Sequence, residues 1–273
     1  MSEARPDSAH SIDNARPLAG RHAVVTGGGR GIGRAIALRL ADAGARITVM
    51  GRSVDQLAAV VAEIGDRNGA GPAQHLGVDV ADEDSVARAF GAAGEFAPID
   101  ILINNAGIAD SAPLKRTTLA QWNAIMAVNL TGVFLCTRAV LPAMTERGFG
   151  RIVSVASTAG LKGYAYVAPY CASKHGVIGM TRSLALETAR TGVTVNCVCP
   201  GYTDSDIVDA AARTIAEKTG RTEEQAKVDI SSGNPQKRLI QPEEVAEATL
   251  WLCDPRAGSM TGQSVAVAGG EVM

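Results

Sequence analysis

Tyr170 and Lys174 stand four positions apart in a stretch of helical pattern, so their side chains share one face. A free tyrosine has a pKa of about 10 and is a poor base at neutral pH. A nearby ammonium favours the phenolate, lowers that value and brings proton transfer within physiological reach. The same spacing also occurs in solvated helix pairs that do no chemistry. Two further polar residues stand out. Ser157 ends a β-branched run thirteen positions before Tyr170, and Asn129 lies inside a long apolar helical pattern. An Asn buried in a helix is costly unless hydrogen-bonded.

A second constellation is Thr26-Gly27-Gly28-Gly29-Arg30-Gly31-Ile32-Gly33, which ends one strand pattern and opens a helical one. Glycines let the backbone approach a pyrophosphate, and a helix N-terminus offers it unpaired N–H groups. A plain tight turn is the alternative, but the strand–loop–helix context favours a nucleotide. A dinucleotide fold preferring NAD places an acid about 20 residues beyond such a loop, for the ribose 2′-OH. The second strand here ends Val49-Met50-Gly51-Arg52-Ser53, without a carboxylate. Arg30 and Arg52 suit a 2′-phosphate through charge-assisted hydrogen bonds. NADP(H) is therefore expected in preference to NAD(H). The competing reading has Arg30 ordering the loop and Arg52 stacking on the adenine.

The pattern TGxxxGxG, then Asn104-Asn105-Ala106-Gly107, then Tyr170-Cys171-Ala172-Ser173-Lys174 resembles the short-chain dehydrogenase/reductase family, over about Leu18 to Met273. The resemblance implies an NAD(P)-dependent enzyme that moves a hydride between nicotinamide and a carbonyl/secondary alcohol pair. It implies a catalytic group of Asn129, Ser157, Tyr170 and Lys174. Tyr170 would exchange the proton, Ser157 bind the substrate oxygen, Lys174 contact the nicotinamide ribose, and Asn129 hold a water linking Lys174 to solvent. For the cofactor it implies Thr26, Gly27, Arg30, Gly31, Ile32 and Gly33 in the loop, Arg52 beyond it, and Asp79 with Val80 at the adenine. Asn105, Ala106 and Gly107 would line the cleft with Tyr170 and Lys174, and Pro200, Gly201 and Thr203 would meet the carboxamide. As bare residues, Asp79 is as readily a helix cap, and Asn105 and Thr203 turn residues.

The substrate is written more faintly. Tyr170–Val177 with Leu186-Glu187-Thr188-Ala189 is similar to ketoreductases of bacterial polyketide synthesis. The C-terminal Val265-Ala266-Val267-Ala268-Gly269-Gly270-Glu271, after Pro242-Glu243-Glu244-Val245-Ala246, is similar to members acting on 3-hydroxyacyl thioesters. Ile108, Ala109, Lys162, Gly163, Tyr164 and Tyr166 are candidate lining residues, mostly small and apolar. They suit a 3-oxoacyl/3-hydroxyacyl thioester or a polyketide. A small hydrophobic secondary alcohol or ketone is the alternative. A cofactor-sensing protein without turnover is a third reading, disfavoured by the complete catalytic group.

The frame for these residues is α/β. Candidate strands at His22–Thr26, Arg46–Met50, Gln74–Val78, Asp100–Asn104, Arg151–Ser157, Thr194–Cys199 and Ser264–Ala268 are mostly apolar on both faces, as covered strands are. Helical patterns alternate with them at Ile32–Ala43, Val54–Arg67, Glu83–Ala92, Leu119–Thr145, Tyr170–Ala189 and Pro242–Cys253. The alternation predicts a single Rossmann-like, doubly wound parallel sheet with helices on both faces. Residues 1–18 read as a flexible arm and 19–273 as the catalytic domain, with a polar helical insertion at about 205–238. That insertion is either a lid or a solvated helix pair. The two long helical patterns from Leu119 and from Tyr170 are apolar enough to pair copies of the chain into dimers or tetramers.

Composition narrows the field. The chain has 273 residues, 46% of them hydrophobic, and a formal net charge of −2, so a globular domain is expected and nucleic-acid binding is not. No uninterrupted apolar run reaches the roughly 18 residues of a membrane span. Five cysteines without a CxxC pair, and four scattered histidines, argue against disulfides and a metal site and suit a reducing cytoplasm.

Overall fold

In the computed structural model, which describes residues 16–273 apart from residue 68, each of the seven candidate strands forms. They are β1 (His22–Thr26), β2 (Arg46–Gly51), β3 (Ala73–Gly77), β4 (Ile101–Asn104), β5 (Gly150–Val155), β6 (Val193–Pro200) and β7 (Ser264–Val267). All neighbours are parallel, in the order β3-β2-β1-β4-β5-β6-β7. Of the predicted arm, residues 1–15 lie outside the described residues, and Leu18, expected to belong to it, is instead buried in the core with its N–H donating to Ala43 O at 2.9 Å.

Alternate side chains leave opposite faces of each strand, so a sheet covered on both sides must be apolar throughout. Ala23, Val25, Ile101, Ile103 and Val153 enter a core with α1 (Gly31–Asp42), α2 (Val54–Gly65) and α9 (Pro242–Cys253). Val24, Leu102 and Ile152 enter the opposite core with α3 (Glu83–Phe96) and α5 (Gly132–Arg147). His22 is a core residue bridging Ala97 O and Thr48 Oγ1, each at 2.8 Å.

Two expectations are corrected. The helix predicted over Leu119–Thr145 is α4 (Leu119–Met126), a π-helical segment (Ala127–Thr131) and α5, because Asn129 turns inward to a loop instead of closing a regular turn. Strand β5 ends at Val155, so Ser157 lies beyond it, capping a 3-10 turn at Thr158–Gly160. The run Leu119–Arg147 is long and apolar enough to cross a membrane by length and composition. In the fold its Leu135, Val140 and Met144 pack into the second core.

After α6 (Ala168–Glu187) and β6, the 205–238 segment forms α7 (Asp206–Thr219) and α8 (Glu223–Ser231). Its two ends are joined: Ile240 N donates to Tyr202 O and Asp204 N to Ile240 O, both at 2.9 Å. The strand order reverses between β1 and β4. In open parallel sheets the crevice outside the carboxyl ends of such a pair is where ligands bind. The glycine loop follows β1, and Asn105-Ala106-Gly107 follows β4.

Candidate active site

The loop is shaped by what glycine omits. Gly27 has φ 63° and Gly31 φ 51°, in the left-handed region. A Cβ on Gly27 would lie 2.9 Å from Ala106 Cα, and one on Gly33 would run into the Gly27 carbonyl. Asn105 stitches the loop to β4. Its Nδ2 donates to Thr26 O and Gly27 O at 3.0 Å, and its backbone N–H to Thr26 Oγ1 at 3.1 Å. The first turn of α1, with Ile32 and Gly33, opens directly onto this cradle. The fit to a dinucleotide pyrophosphate is good: a glycine-lined turn at a helix N-terminus, at the switch point.

Around it, Val80 is buried beside Gly132, and Asp79 is exposed and accepts from Ala81 N at 3.0 Å. Asp79 is not the cap of α3; Asp82 is. Pro200 ends β6, Gly201 N donates to Val267 O, and buried Thr203 donates to Gly201 O at 3.1 Å. Arg52 is exposed past β2. Arg30, also exposed, pairs with Asp206 of α7 at 2.7 Å, a partner the sequence did not suggest.

The four residues expected to do chemistry gather at the carboxyl ends of β4 and β5. Tyr170 and Lys174 sit one turn apart on α6, with Lys174 Nζ 5.6 Å from the Tyr170 ring centre. Lys174 is buried and donates to Val155 O at 2.8 Å. Burial pushes its pKa down to about 8. The Tyr170 phenol is pushed above its usual value by burial, and a hydrogen bond with Ser157 opposes that. The lowering expected from Lys174 is therefore not the dominant influence here; Ser157 is the group that favours phenolate.

Asn129 answers the question its burial raised. Its Oδ1 accepts from Ile108 N at 2.8 Å, and its Nδ2 donates to Ile108 O at 2.9 Å and Ser173 Oγ at 3.2 Å. The π segment turns this amide toward the loop after β4. A Cβ on Gly107 would lie 3.4 Å from Asn129 Oδ1 and 3.8 Å from Lys174 Nζ, so the three meet at one point. π turns recur where a helix must present a side chain to a site.

On the other wall, sequence reasoning named Lys162 and Tyr164 but missed their partner Glu271. Tyr164 donates its one hydroxyl proton to the Glu271 carboxylate and accepts from Thr158 Oγ1 at 2.7 Å. Lys162 Nζ lies 3.2 Å from Glu271 Oε1. Tyr202 meets Tyr164 edge to face, ring centres 6.1 Å apart. Lys162 and Tyr164 were candidates in an apolar lining; their partner after the Gly269-Gly270 turn makes this wall polar. The acid placed directly behind two glycines was the one available signal. Tyr166, also expected to line the pocket, is largely exposed with φ 69°, and its carbonyl ties down Ala112 N at 2.9 Å.

Residues 21–216 match the family model described as short chain dehydrogenase. The chain is 41% identical over 259 residues to a 3-oxoacyl-[acyl-carrier-protein] reductase of Synechocystis, covering 94% of this chain and 98% of that one. It is 38% identical over 251 residues to a D-beta-hydroxybutyrate dehydrogenase of Rhizobium meliloti, covering 91% and 97%. Among solved structures, an actinorhodin polyketide ketoreductase with NADPH superposes with a TM-score of 0.87 at 37% identity, covering 92% of this chain and 97% of that one.

Proposed function

The chain belongs to the short-chain dehydrogenase family and is an NAD(P)-dependent oxidoreductase, and from that premise we propose that it reduces 3-oxoacyl compounds, with NADP(H) as the preferred cofactor. The observation that carries the reading is the convergence of Ser157, Tyr170 and Lys174 beside a glycine cradle at the switch point.

Gly27, Gly31 and Gly33 with the α1 N-terminus would hold the pyrophosphate, and Arg30 and Arg52 a 2′-phosphate. When bound, the nicotinamide supplies or takes up the hydride. The protein does the rest. Ser157 orients the carbonyl oxygen, and Tyr170 gives that oxygen its proton as the alcohol forms. The neutral phenol favoured by burial is the form that has a proton to give. Lys174 and Asn129 hold the path by which Tyr170 regains a proton. Oxidation runs the steps in reverse. Relatives named for 3-oxoacyl reduction and a neighbour crystallised with NADPH support substrate class and cofactor. A small hydrophobic alcohol or ketone is the second reading; the D-beta-hydroxybutyrate dehydrogenases among the relatives support small size but not an apolar substrate.

Exposed Phe134 and Leu186, on α5 and α6, support pairing of copies along those helices into dimers or tetramers. Five unpaired cysteines fit the reducing cytoplasm. We read α7–α8 as a lid. The deciding experiment compares initial rates of NADPH and NADH consumption with a 3-oxoacyl thioester. NADPH use at least about tenfold more efficient, narrowed by added salt and abolished by Arg30→Ala with Arg52→Ala, is the expected result. Equal efficiency with NADH removes the arginine argument. Bound cofactor without turnover on any carbonyl removes the enzyme reading of this substrate class.

A further inference from the structure

One buried charge in this cleft has no part in the steps above. The Glu271 side chain, after β7, is only 4% exposed. Its Oε1 takes the Tyr164 hydroxyl and the Lys162 ammonium. Its Oε2 has no hydrogen-bond partner. A Cβ on Gly201 would lie 3.0 Å from that oxygen, so it faces the turn at the carboxyl end of β6. Tyr202, the next residue, interacts electrostatically with both Tyr170 and Glu271. Tyr164 leads back through Thr158 to the neighbour of Ser157. The carboxylate therefore stands just behind Tyr164, Tyr202 and Thr158, the residues flanking Ser157 and Tyr170.

A carboxylate is kept out of water only at a cost, and leaving one oxygen unpaired raises it. Lys162 does not cancel this charge. Its side chain is 41% exposed, so water screens the ammonium, whereas the carboxylate is enclosed. The enclosed charge on this wall is thus negative. A second carboxylate brought alongside would meet a like charge and be repelled by it. Lys162, the cation that a free acid would seek, is already engaged by the Glu271 side chain and, at 3.4 Å, by its backbone carbonyl.

We propose that Glu271 is a specificity-determining residue that rejects anionic 3-oxo acids and selects neutral carbonyl substrates, esters and thioesters among them. The inference rests on the reduction proposed above and narrows its substrate. It separates the two chemistries found among the relatives, one a thioester and the other a free hydroxy acid.

Acetoacetate and ethyl acetoacetate present the same ketone with and without a charge. With full-length protein and saturating NADPH, wild type favours the ester by at least about tenfold in kcat/KM. Glu271→Gln keeps an oxygen for Tyr164, removes the charge and frees Lys162. It raises the ratio of kcat/KM for acetoacetate over the ester at least about tenfold. Lys162→Met added to Glu271→Gln removes the gain, and Lys162→Met alone deepens the rejection. Affinity is measured beside turnover, by calorimetry of both compounds on the NADP+-loaded protein. A wild type that takes the acid as readily as the ester, or a Glu271→Gln that shifts both alike, overturns the proposal. If neither compound turns over, the reduction of such carbonyls falls, and the calorimetry still decides the charge. Tighter acetoacetate binding by Glu271→Gln upholds it, and equal binding overturns it.

Discussion

The β1–β4 side of the cleft and the β5–β6 side are made of different materials. On the first, the chain contributes backbone, helix N-terminus and missing side chains: Gly27, Gly31 and Gly33 leave a space that a Cβ would fill. On the second it contributes enclosed polar groups, with Lys174 and Glu271 both buried and Tyr170 shifted by burial. The glycine cradle on the first side recognises shape and should tolerate changes of volume least, charge entering there only through Arg30 and Arg52. The second works by charge placed out of water, and should tolerate a change of volume better than a change of protonation. Binding and chemistry are thus separable, and substitutions can separate them.

The largest effect should come from Tyr170→Phe, which keeps volume and loses the proton. Turnover falls by about a thousandfold or more, while NADPH affinity by fluorescence titration stays within about twofold. Turnover within tenfold of wild type would break the contrast. Next is Gly33→Ala, one methyl on the other side. Its Cβ meets the Gly27 carbonyl, and overpacking of about 2 kcal/mol predicts cofactor binding about thirtyfold weaker. Unchanged affinity would show that the cradle yields.

Lys174 gives a comparable effect, on stability. Its pKa falls from 10.5 to about 8 in the fold. Between those values the unfolded chain holds the proton that the folded chain has lost, so stability rises with pH across that window. Below it both states are protonated and the burial penalty is complete. The expected rise is about 2 kcal/mol from about pH 7.5 to 9.5, absent from Lys174→Met. Denaturant midpoints of the two proteins at both pH values check it; parallel slopes would assign the rise to other groups. The smallest effect is Asp206→Asn. Its pair with Arg30 is exposed on both sides, so the change costs under about 1 kcal/mol of stability. It frees Arg30 for a 2′-phosphate, so KM for NADPH falls a few-fold and KM for NADH stays. Equal shifts in both would detach Arg30 from the cofactor.

The same division explains what could be read in advance. The seven strands were legible because a doubly covered sheet demands apolar runs, and the glycine cradle because its spacing is local. Tyr170 and Lys174 were legible because one helix turn joins them. The Asn129 π turn was not: nothing in Met126-Ala127-Val128-Asn129-Leu130 distinguishes it from regular helix, and its partner Ile108 comes from another element. Glu271 was hidden for the same reason. Lys162 and Tyr164 are over a hundred positions away, and only the fold brings them to one carboxylate. Short-range patterns reach the cofactor side; the polar wall depends on contacts between distant segments. Arg30 shows a middle case, its type legible and its partner Asp206 not.

The clasp at Ile240 carries a consequence for how such a protein can change. Because α7 and α8 leave and rejoin the domain beside one another at a pair of backbone hydrogen bonds, the length of chain between them is not set by the register of the sheet. Doubling the length of a flexible loop costs only about 0.6 kcal/mol in closure entropy. The segment is in effect a cassette. A different one could be grafted onto the same stump, giving the scaffold a new clientele while β6, α9 and the residues beneath stay as they are.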